Sequence, residues 1–433
     1  MFRRSLLKFG LGSITSSALA WNILNVNSSY SAEQTFDGFD GQSVVWGGIG
    51  YLPKNGRSAL PNFYPLLEKK DESGALTLNN LLTKALEEVP KSTWAEKGFR
   101  LSVGEGGKNG NARFGMIMAI SSELTIQDSR TDIISFRVLR LIAYNFVFQI
   151  DSAGTKIIAC YPVGGRGYSY RPFYDETSSS EYYFKMFSTS STEGETITSW
   201  YRNKLKNYPF EDIKTGLNYQ VSDVSLKPKV EEALDILNIN KTDFKDLIGF
   251  AATMSFGKEM KVSMVPYQDS NASTGALALN FRNKEAFSLS LNEPDIVIKP
   301  TVHLWTTQYQ DHPRDPNKFA QKIKIFVQLR VKSDFFGVDF NQLITAEEVQ
   351  SVFKKEEFRR TDLATIYLLI EQLLDKTSAA IKDPQKRQEL LQGYRKDFDT
   401  NERNREIRPY IAIKVHKQTA ATFEKQCQTI MQL

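Results

Sequence analysis

The chain alternates most regularly between polar and apolar residues over Lys322-Ile323-Lys324-Ile325-Phe326-Val327-Gln328-Leu329-Arg330-Val331-Lys332. A period of two residues is typical of a β-strand with one face in the core and one in solvent. We therefore predict a strand over 322–332 whose inward residues are Ile323, Ile325, Val327, Leu329 and Val331. The outward row Lys322, Lys324, Gln328, Arg330 and Lys332 is interpreted as protection of a sheet edge. Contact with an anionic partner such as lipid headgroups is the alternative.

Other runs extend this β-rich pattern along the chain. We predict strands over 114–126, 134–150 and 155–163, the last two forming a hairpin. A strand of 17 residues would reach about 56 Å, so the run 134–150 must bend, bulge or break. Residues 250–333 have the alternation of an antiparallel meander, with Pro300 at an edge or a kink.

Helical spacing occurs between and after these strands. We predict helices over 78–89, 196–207, 228–248 and 361–382. Thr345 and Glu348 have the spacing of a capping box, which predicts a helix starting there, with Glu347 in its first turn. Strands in two runs with segregated helices favour an α+β fold with antiparallel sheets, as hairpins and a meander. We expect three segments: 1–32, a signal peptide; 33–225, an N-terminal α+β domain with a long aromatic and Ser-rich loop; and 226–433, a C-terminal α+β domain with the meander and a helical end.

Composition excludes several classes of protein. Hydrophobic residues make up 41% and charged residues 24% of the 433 residues, which is ordinary globular usage and not that of a disordered chain. The lack of any uninterrupted run of eighteen apolar residues argues against a transmembrane span in the mature chain. Two cysteines exclude a disulfide-dense scaffold, and we expect Cys160 and Cys427 to be unpaired buried thiols.

The N-terminus has the layout of a bacterial signal peptide. Basic residues come first, a moderately apolar stretch follows over 9–24, and small residues end at Ser31-Ala32. The start resembles a twin-arginine signal through Arg3, Arg4, Leu6, Leu7 and Lys8, although Phe2 stands where that pattern usually has Ser or Thr. A general secretory signal is the alternative. An uncleaved anchor is the least favoured interpretation, because sixteen diluted residues are short for a bilayer of about 30 Å.

This signal implies export to the periplasm or beyond, with the protein export machinery as a partner. It also accounts for most of the basic character of the chain. Removing residues 1–32 takes away Arg3, Arg4 and Lys8 and lowers the formal net charge from +5 to +2. The charge therefore gives no support for a nucleic-acid partner.

The remaining candidate sites depend on residue type alone. An aromatic and basic segment could form a recognition surface for envelope protein or polysaccharide, or could simply pack on the hairpin beneath it, which we favour. Its residues are Arg166, Tyr168, Tyr170, Arg171, Tyr174, Tyr182 and Tyr183. The residue types that bind metals cluster at one place in the sequence, at His303, Asp311, His312 and Asp315. The composition of residues 311–315 is more typical of a turn, so we predict no metal and no cofactor.

Two functional classes follow from these observations. The first is an exported, non-enzymatic binding or assembly component of the bacterial cell envelope. The second is an exported hydrolase acting on envelope polymers or glycans. No Gly-x-Ser-x-Gly elbow occurs and the loop 104–110 lacks P-loop spacing, so no catalytic motif supports the second class. The ligand, the export route and the oligomeric state stay open.

Overall fold

The computed structural model of the chain describes residues 39, 41–52, 70, 72, 74, 77–103, 113–130, 134–151, 154–172, 205, 217–267, 276–280, 286–290, 293–311, 316–317, 319–352, 362–397 and 410–432. The predicted signal peptide lies outside the described residues. So does the helix predicted over 196–207, apart from Leu205.

The strands of the described ranges belong to two sheets. In chain order they are β1 (Ser43–Tyr51), β2 (Arg100–Ser102), β3 (Phe114–Arg130), β4 (Ile134–Asp151), β5 (Gly154–Pro172), β6 (Asn218–Val221), β7 (Ser225–Leu226), β8 (Ser263–Val265), β9 (Ala276–Asn280), β10 (Ala286–Ser290), β11 (Ile296–Asp311), β12 (Phe319–Ser333), β13 (Val338–Val352), β14 (Tyr394–Asp397) and β15 (Tyr410–Val415).

Helices lie between strands of both sheets, and one follows the last strand. They are α1 (Thr77–Glu87), α2 (Lys91–Ala95), α3 (Pro228–Ile236), α4 (Lys241–Met260), α5 (Asp362–Lys382), α6 (Pro384–Gln392) and α7 (Ala420–Met431). The chain thus combines helices with sheets, as the α+β prediction requires. The single helix predicted over 228–248 is two helices, because the second begins at a new cap, where Asn240 accepts hydrogen bonds from two backbone N–H groups.

The first sheet has the strand order β2-β1-β3-β4-β5-β10-β9. The hairpin β9–β10 joins β5 where Ser290 lies opposite Lys156, and it joins β1 where Asn280 lies opposite Tyr51. Each of the six strands β1, β3, β4, β5, β10 and β9 therefore pairs with two others of the six, so their pairing forms a closed ring. The predicted single meander over 250–333 is wrong, because this hairpin belongs to the first sheet while β11 and β12 belong to the second.

Three strands of the first sheet are unusually long, and the bulges lie on β3 and β5, the two partners of β4, and not on the strand predicted over 134–150 itself. The pairing of β3 with β4 shifts register between Ile120 and Ser122 and again between Thr125 and Gln127. The predicted strand end at 163 is wrong, because β5 continues to Pro172 and pairs with β4 over its whole length. Residues 164–172 therefore form strand and not part of the predicted loop; glycines made this segment resemble a loop in sequence, and pairing with β4 overrides that local preference.

The second sheet has the order β14-β15-β13-β12-β11-β6-β8, with β7 also paired to β11. Alternation over 322–332 is confirmed, because Ile323, Val327 and Val331 are fully buried. The edge-protection interpretation is wrong, since β12 is central and pairs with β11 and β13 on its two sides. Both central and edge antiparallel strands show one polar face, so alternation alone cannot tell them apart.

The helix predicted from Thr345 and Glu348 is also wrong. Both residues lie in β13, with Glu347 between them. The inward row of β13 includes the polar residues Gln342 and Glu348, which interrupt the apolar alternation that would have indicated a strand. The capping-box spacing is therefore coincidental here.

The sheets are mixed, so the prediction of purely antiparallel sheets is wrong. β1 runs parallel to β2 and β3, and β6 runs parallel to β8 and β11. Parallel neighbours need crossover connections, which the helices provide: α1 and α2 lie between β1 and β2, and α3 and α4 between β6 and β8. Pro300 lies where β11 stops pairing with β6 and has yet to pair with β7.

Two apolar cores enclose the first sheet. On one side, α1 and α2 contribute Leu78, Leu82 and Trp94, which pack with Met116 and Met118. On the other side, Ile117, Tyr144 and Phe146 share a core with α4, α5 and the inner face of the second sheet. This larger core includes residues from both sides of position 225. The division into two domains at that position stays a prediction.

Helix α7 covers a part of β13 that β15 does not reach. β15 pairs with β13 only from Ile344 onward. Before that point, Gln426 Oε1 accepts from the backbone N–H of Asn341 at 3.0 Å, and Thr419 Oγ1 accepts from that of Leu343 at 3.2 Å. Gln426 of this helix and Thr419 just before it thus take the place of a neighbouring strand and protect the edge of β13.

Val327→Asp should destabilise the protein by about 3 kcal/mol or more, because it places an unpaired charge in a fully buried position. Arg330→Ala, three residues away on the outward row, should change the free energy of unfolding by no more than about 0.5 kcal/mol. Urea unfolding of both variants measures this. Equal destabilisation would show that the register of β12 is wrong.

Gln426→Leu should cost about 1–3 kcal/mol, because it removes the acceptor for two hydrogen bonds, one from the Asn341 backbone and one from Gln342 Nε2 at 2.7 Å. Gln428→Leu makes the same chemical change at an exposed position of α7 and should be neutral within about 0.5 kcal/mol. Thermal unfolding of the pair gives the comparison. A similar loss in both would indicate an effect on the helix and not on the edge of β13.

Candidate functional site

The structure describes some of the residues predicted to form sites. Arg3, Arg4, Leu6, Leu7 and Lys8 of the export signal lie outside the described residues, as do Tyr174, Tyr182 and Tyr183 of the aromatic segment and His312 and Asp315 of the metal candidates.

The remaining aromatic-segment residues lie on a strand. Arg166, Tyr168 and Tyr170 are alternate residues of β5, and Arg171 follows; in the register with β4, Tyr168 lies opposite Val138. β1 stops pairing with β3 at Ile120, so β3, β4 and β5 continue past it as a three-stranded ribbon. About nine further residues per strand correspond to roughly 30 Å. These residues therefore belong to an extended β-ribbon.

His303 and Asp311 are not brought together. Both lie on β11, where eight residues of strand separate their Cα atoms by about 26 Å. His303 instead donates from Nε2 to Gln328 Oε1 at 2.8 Å. Among the described residues, no group of three or more His, Cys, Asp or Glu side chains is placed to hold a metal ion.

The second sheet has one face against the core and one that we call the outer face. Most of its inward residues are buried, whereas most of the outward ones are exposed or half-buried. The outer face is formed by outward side chains of five neighbouring strands, β11, β12, β13, β15 and β14. Its main polar and aromatic members are Lys299, His303, Lys322, Lys324, Phe326, Gln328, Arg330, Lys332, Asp339, Asn341, Glu347, Arg395, Asp397, Tyr410 and Lys414.

A row of hydrogen bonds crosses three strands of the outer face. His303 donates to Gln328, and Gln328 Nε2 donates to Asn341 Oδ1 at 2.7 Å. His303 takes part because the register of β11 shifts between Val302 and Leu304, and this bulge adds His303 to the outward side. The row fixes polar groups at set positions on an otherwise solvated surface.

A second network lies toward the other end of the outer face. Lys322 Nζ lies 3.0 Å from Glu347 Oε2, and the Tyr410 hydroxyl donates to Glu347 Oε1 at 3.1 Å. The Arg395 guanidinium stacks 4.0 Å from the centre of the Tyr410 ring. Partial burial raises the pKa of Glu347, but the hydrogen bond and charge of Lys322 outweigh it and leave the pKa below its usual value. Glu347 is therefore an ionised acceptor held in place by its neighbours.

The cations of the outer face outnumber its carboxylates. Arg330 pairs with Asp339 at 3.6 Å and Arg395 with Asp397 at 2.9 Å, and such exposed pairs contribute little to stability. Among the described residues, no ion pair within 4 Å involves Lys299, Lys324 or Lys414, although Lys324 lies opposite Glu347 and its charge helps to lower the Glu347 pKa. Lys324 also lies 5.0 Å from the centre of the Phe326 ring. The outer face thus keeps a positive excess.

Glu348 lies beside this face but points toward the core. Burial raises the pKa of its carboxyl to about 7. The adjacent residue Glu347 points outward, because successive side chains of a strand alternate between faces. The two carboxyls therefore sit on opposite sides of the sheet and cannot act together on one bond.

The two thiols are buried and free, as predicted. Burial raises the pKa of Cys160, and it raises that of Cys427 to about 12 despite the nearby Arg387. Both thiols are protonated near neutral pH, so neither is an activated nucleophile.

One large apolar side chain projects at the end of β12. Phe335 is 88% exposed in the turn between β12 and β13, where Gly337 has a φ of +65°. It contacts Phe336 edge-to-face at 4.8 Å between ring centres. Within the described residues, no helix is both long enough and apolar enough to cross a membrane.

Comparison with known proteins adds no family to this description. No protein-family model matches the chain, and a comparison with curated proteins gives no match.

Glu348→Gln should stabilise the protein above pH 7 by on the order of 2–3 kcal/mol. The folded state binds the Glu348 proton more tightly than the unfolded state, so wild-type stability falls as pH rises from about 4.5 to about 7. The amide does not titrate, and the difference between the two proteins should vanish below that range. Urea unfolding across pH measures it.

Glu347→Gln is the matched comparison and should have the opposite sign. The lowered pKa of Glu347 means that its charge stabilises the folded state above its unfolded pKa and ceases to do so as pH falls. This variant should be less stable than wild type at neutral pH and equal to it in acid. A uniform effect of both variants across pH would contradict the two assignments.

Proposed function

We propose that this protein is an exported bacterial component of the cell envelope that works by binding or assembly, with the outer face of the second sheet as its contact surface. Export is supported by the sequence of residues 1–32, with its paired arginines and small-residue end. The contact surface is supported by one observation above others: its outward cations outnumber its carboxylates, and Lys299, Lys324 and Lys414 are not among its ion pairs closer than 4 Å in the part of the chain that the structure describes.

The outer face suits binding because its polar groups are already ordered. The His303–Gln328–Asn341 row and the Lys322–Glu347–Tyr410 network hold side chains in fixed positions. Preordered groups lose less conformational entropy when they meet a partner. The strands beneath them, β11, β12, β13, β15 and β14, pair antiparallel with one another and supply the rigid support.

A hydrolase acting on envelope polymers or glycans is the second candidate. The observation in its favour is Glu348, whose pKa near 7 would suit a general acid. Glycoside hydrolysis, however, uses two carboxyl groups on either side of one bond. Glu347 and Glu348 face opposite sides of β13, so the described residues support binding better than hydrolysis.

Export is tested by following the chain in bacterial cells. We expect the mature protein in the periplasm or medium to begin near Glu33, and we expect the Arg3→Lys/Arg4→Lys double variant to be retained in the cytoplasm. Lys8→Arg keeps the paired arginines and should be exported normally. N-terminal sequencing and cell fractionation measure both.

Two outcomes would revise this proposal in different ways. Wild-type protein that starts at Met1 and stays in the cytoplasm would overturn export altogether. Unchanged export and cleavage of the double variant would overturn the twin-arginine route and point to the general secretory route, since arginine and lysine carry the same charge.

A further inference from the structure

We propose that the outer face binds an acidic polysaccharide, whose anionic groups contact Lys299, Lys324 and Lys414. This inference rests on the proposed function, because it takes the outer face as the contact surface and names the chemistry of the partner.

The distribution of Lys299, Lys324 and Lys414 favours a polymer over a small anion. Lys299 lies opposite Arg330 in the register, six residues along β12 from Lys324, which corresponds to about 20 Å. Lys414 lies on β15, opposite Thr345 of β13, and the strands β13 and β12 separate it from β11. No single small anion reaches all three positions, whereas a chain with repeated negative charges contacts them in turn.

The groups between these cations suit sugar rings. Gln328 and Asn341 carry amides, which offer both donors and acceptors to hydroxyl groups, and His303 adds a ring nitrogen. Phe326 and Tyr410 place half-buried aromatic rings on the same face, where Lys324 and Arg395 already lie 5.0 Å and 4.0 Å from the respective ring centres. Aromatic rings give a large apolar contact at low entropic cost, as the C–H face of a sugar requires.

A membrane surface fits this face less well. Interfacial binding needs apolar side chains that insert beside the cations. On the described surface of the second sheet, the strongly exposed large apolar residue is Phe335, which sits in the turn at the end of β12 and not among Lys299, Lys324 and Lys414. Binding of lipid is therefore an outcome of the test and not part of the proposal.

The test uses the mature protein and four defined polymers. Polygalacturonate and dextran sulfate are the anionic probes; fully methyl-esterified polygalacturonate and dextran have the same backbones without charge. We expect the protein to bind one or both anionic probes, with affinity that falls as salt rises, and to bind neither neutral polymer. Affinity electrophoresis and isothermal titration measure this.

The variant Lys299→Gln/Lys324→Gln/Lys414→Gln assigns the binding to the outer face. It should bind the anionic probe about tenfold more weakly, since three exposed ionic contacts are lost. The control Lys91→Gln/Lys229→Gln/Lys425→Gln removes the same charge from exposed positions elsewhere and should bind as wild type does. Both variants change exposed or half-buried side chains, so thermal unfolding should be close to that of wild type.

Three results would overturn the proposal. They are binding of neither anionic probe, equal weakening by the two triple variants, and loss of binding to phosphatidylglycerol vesicles in the outer-face variant without any polysaccharide binding by wild type. Each differs from a failure of the proposed export, which is read from cell fractions and the mature N-terminus and not from binding by purified protein.

Discussion

Burial of the helix α4 between the two sheets is the constraint on which the rest of the structure depends. Its buried residues lie on all sides, and it contacts β5 of the first sheet, β6, β8 and β11 of the second, and α5. A helix apolar all round is typical of a position inside the core. Two glycines permit the close approach: a Cβ on Gly249 would lie 2.6 Å from the Tyr267 ring, and one on Gly257 would overlap the Pro162 ring.

Polar groups on α4 and α5 complete this contact. The Ser255 hydroxyl donates to Asp375 Oδ1, Ser378 Oγ donates to the Ser255 carbonyl at 3.2 Å, and Lys382 Nζ donates to the Met260 carbonyl at 3.1 Å. Burial raises the pKa of Asp375 although the bond from Ser255 and the charge of Lys258 oppose it. The helices therefore hold one relative position. The core therefore fixes the position of the second sheet, which carries the outer face.

The sequence predicts those parts of the fold where local pattern and tertiary environment agree. The register of β12 follows from alternation because its inward residues from Ile323 to Val331 are all apolar. β13 escapes prediction because Gln342 and Glu348 occupy inward positions. The amide of Gln342 donates to Thr422 and Gln426 of α7, which is distant in sequence. β1 runs parallel to β2 and β3, and β6 runs parallel to β8 and β11. These pairings need crossover connections, and no local sequence pattern encodes them.

The candidate site depends on similar long-range facts. The basic row of β12 is visible in the sequence, but its meaning changes once β11 and β13 are known to flank it. The bulge that brings His303 into line with Gln328 arises from pairing between two strands, so spacing could not reveal it. The sequence shows that cations line one face of β12, but it does not show that this strand is central in its sheet.

Native-state hydrogen exchange of the mature protein tests most directly whether α4 joins the two sheets and so fixes the outer face. Backbone amides of α4 and of β12 should exchange with the same free energy of opening, because both belong to one core that opens only on global unfolding. Their opening energies should also fall together as denaturant is added. If the amides of α4 exchange with a lower free energy of opening while those of β12 stay protected, the second sheet is stable without this helix. That result would contradict the account.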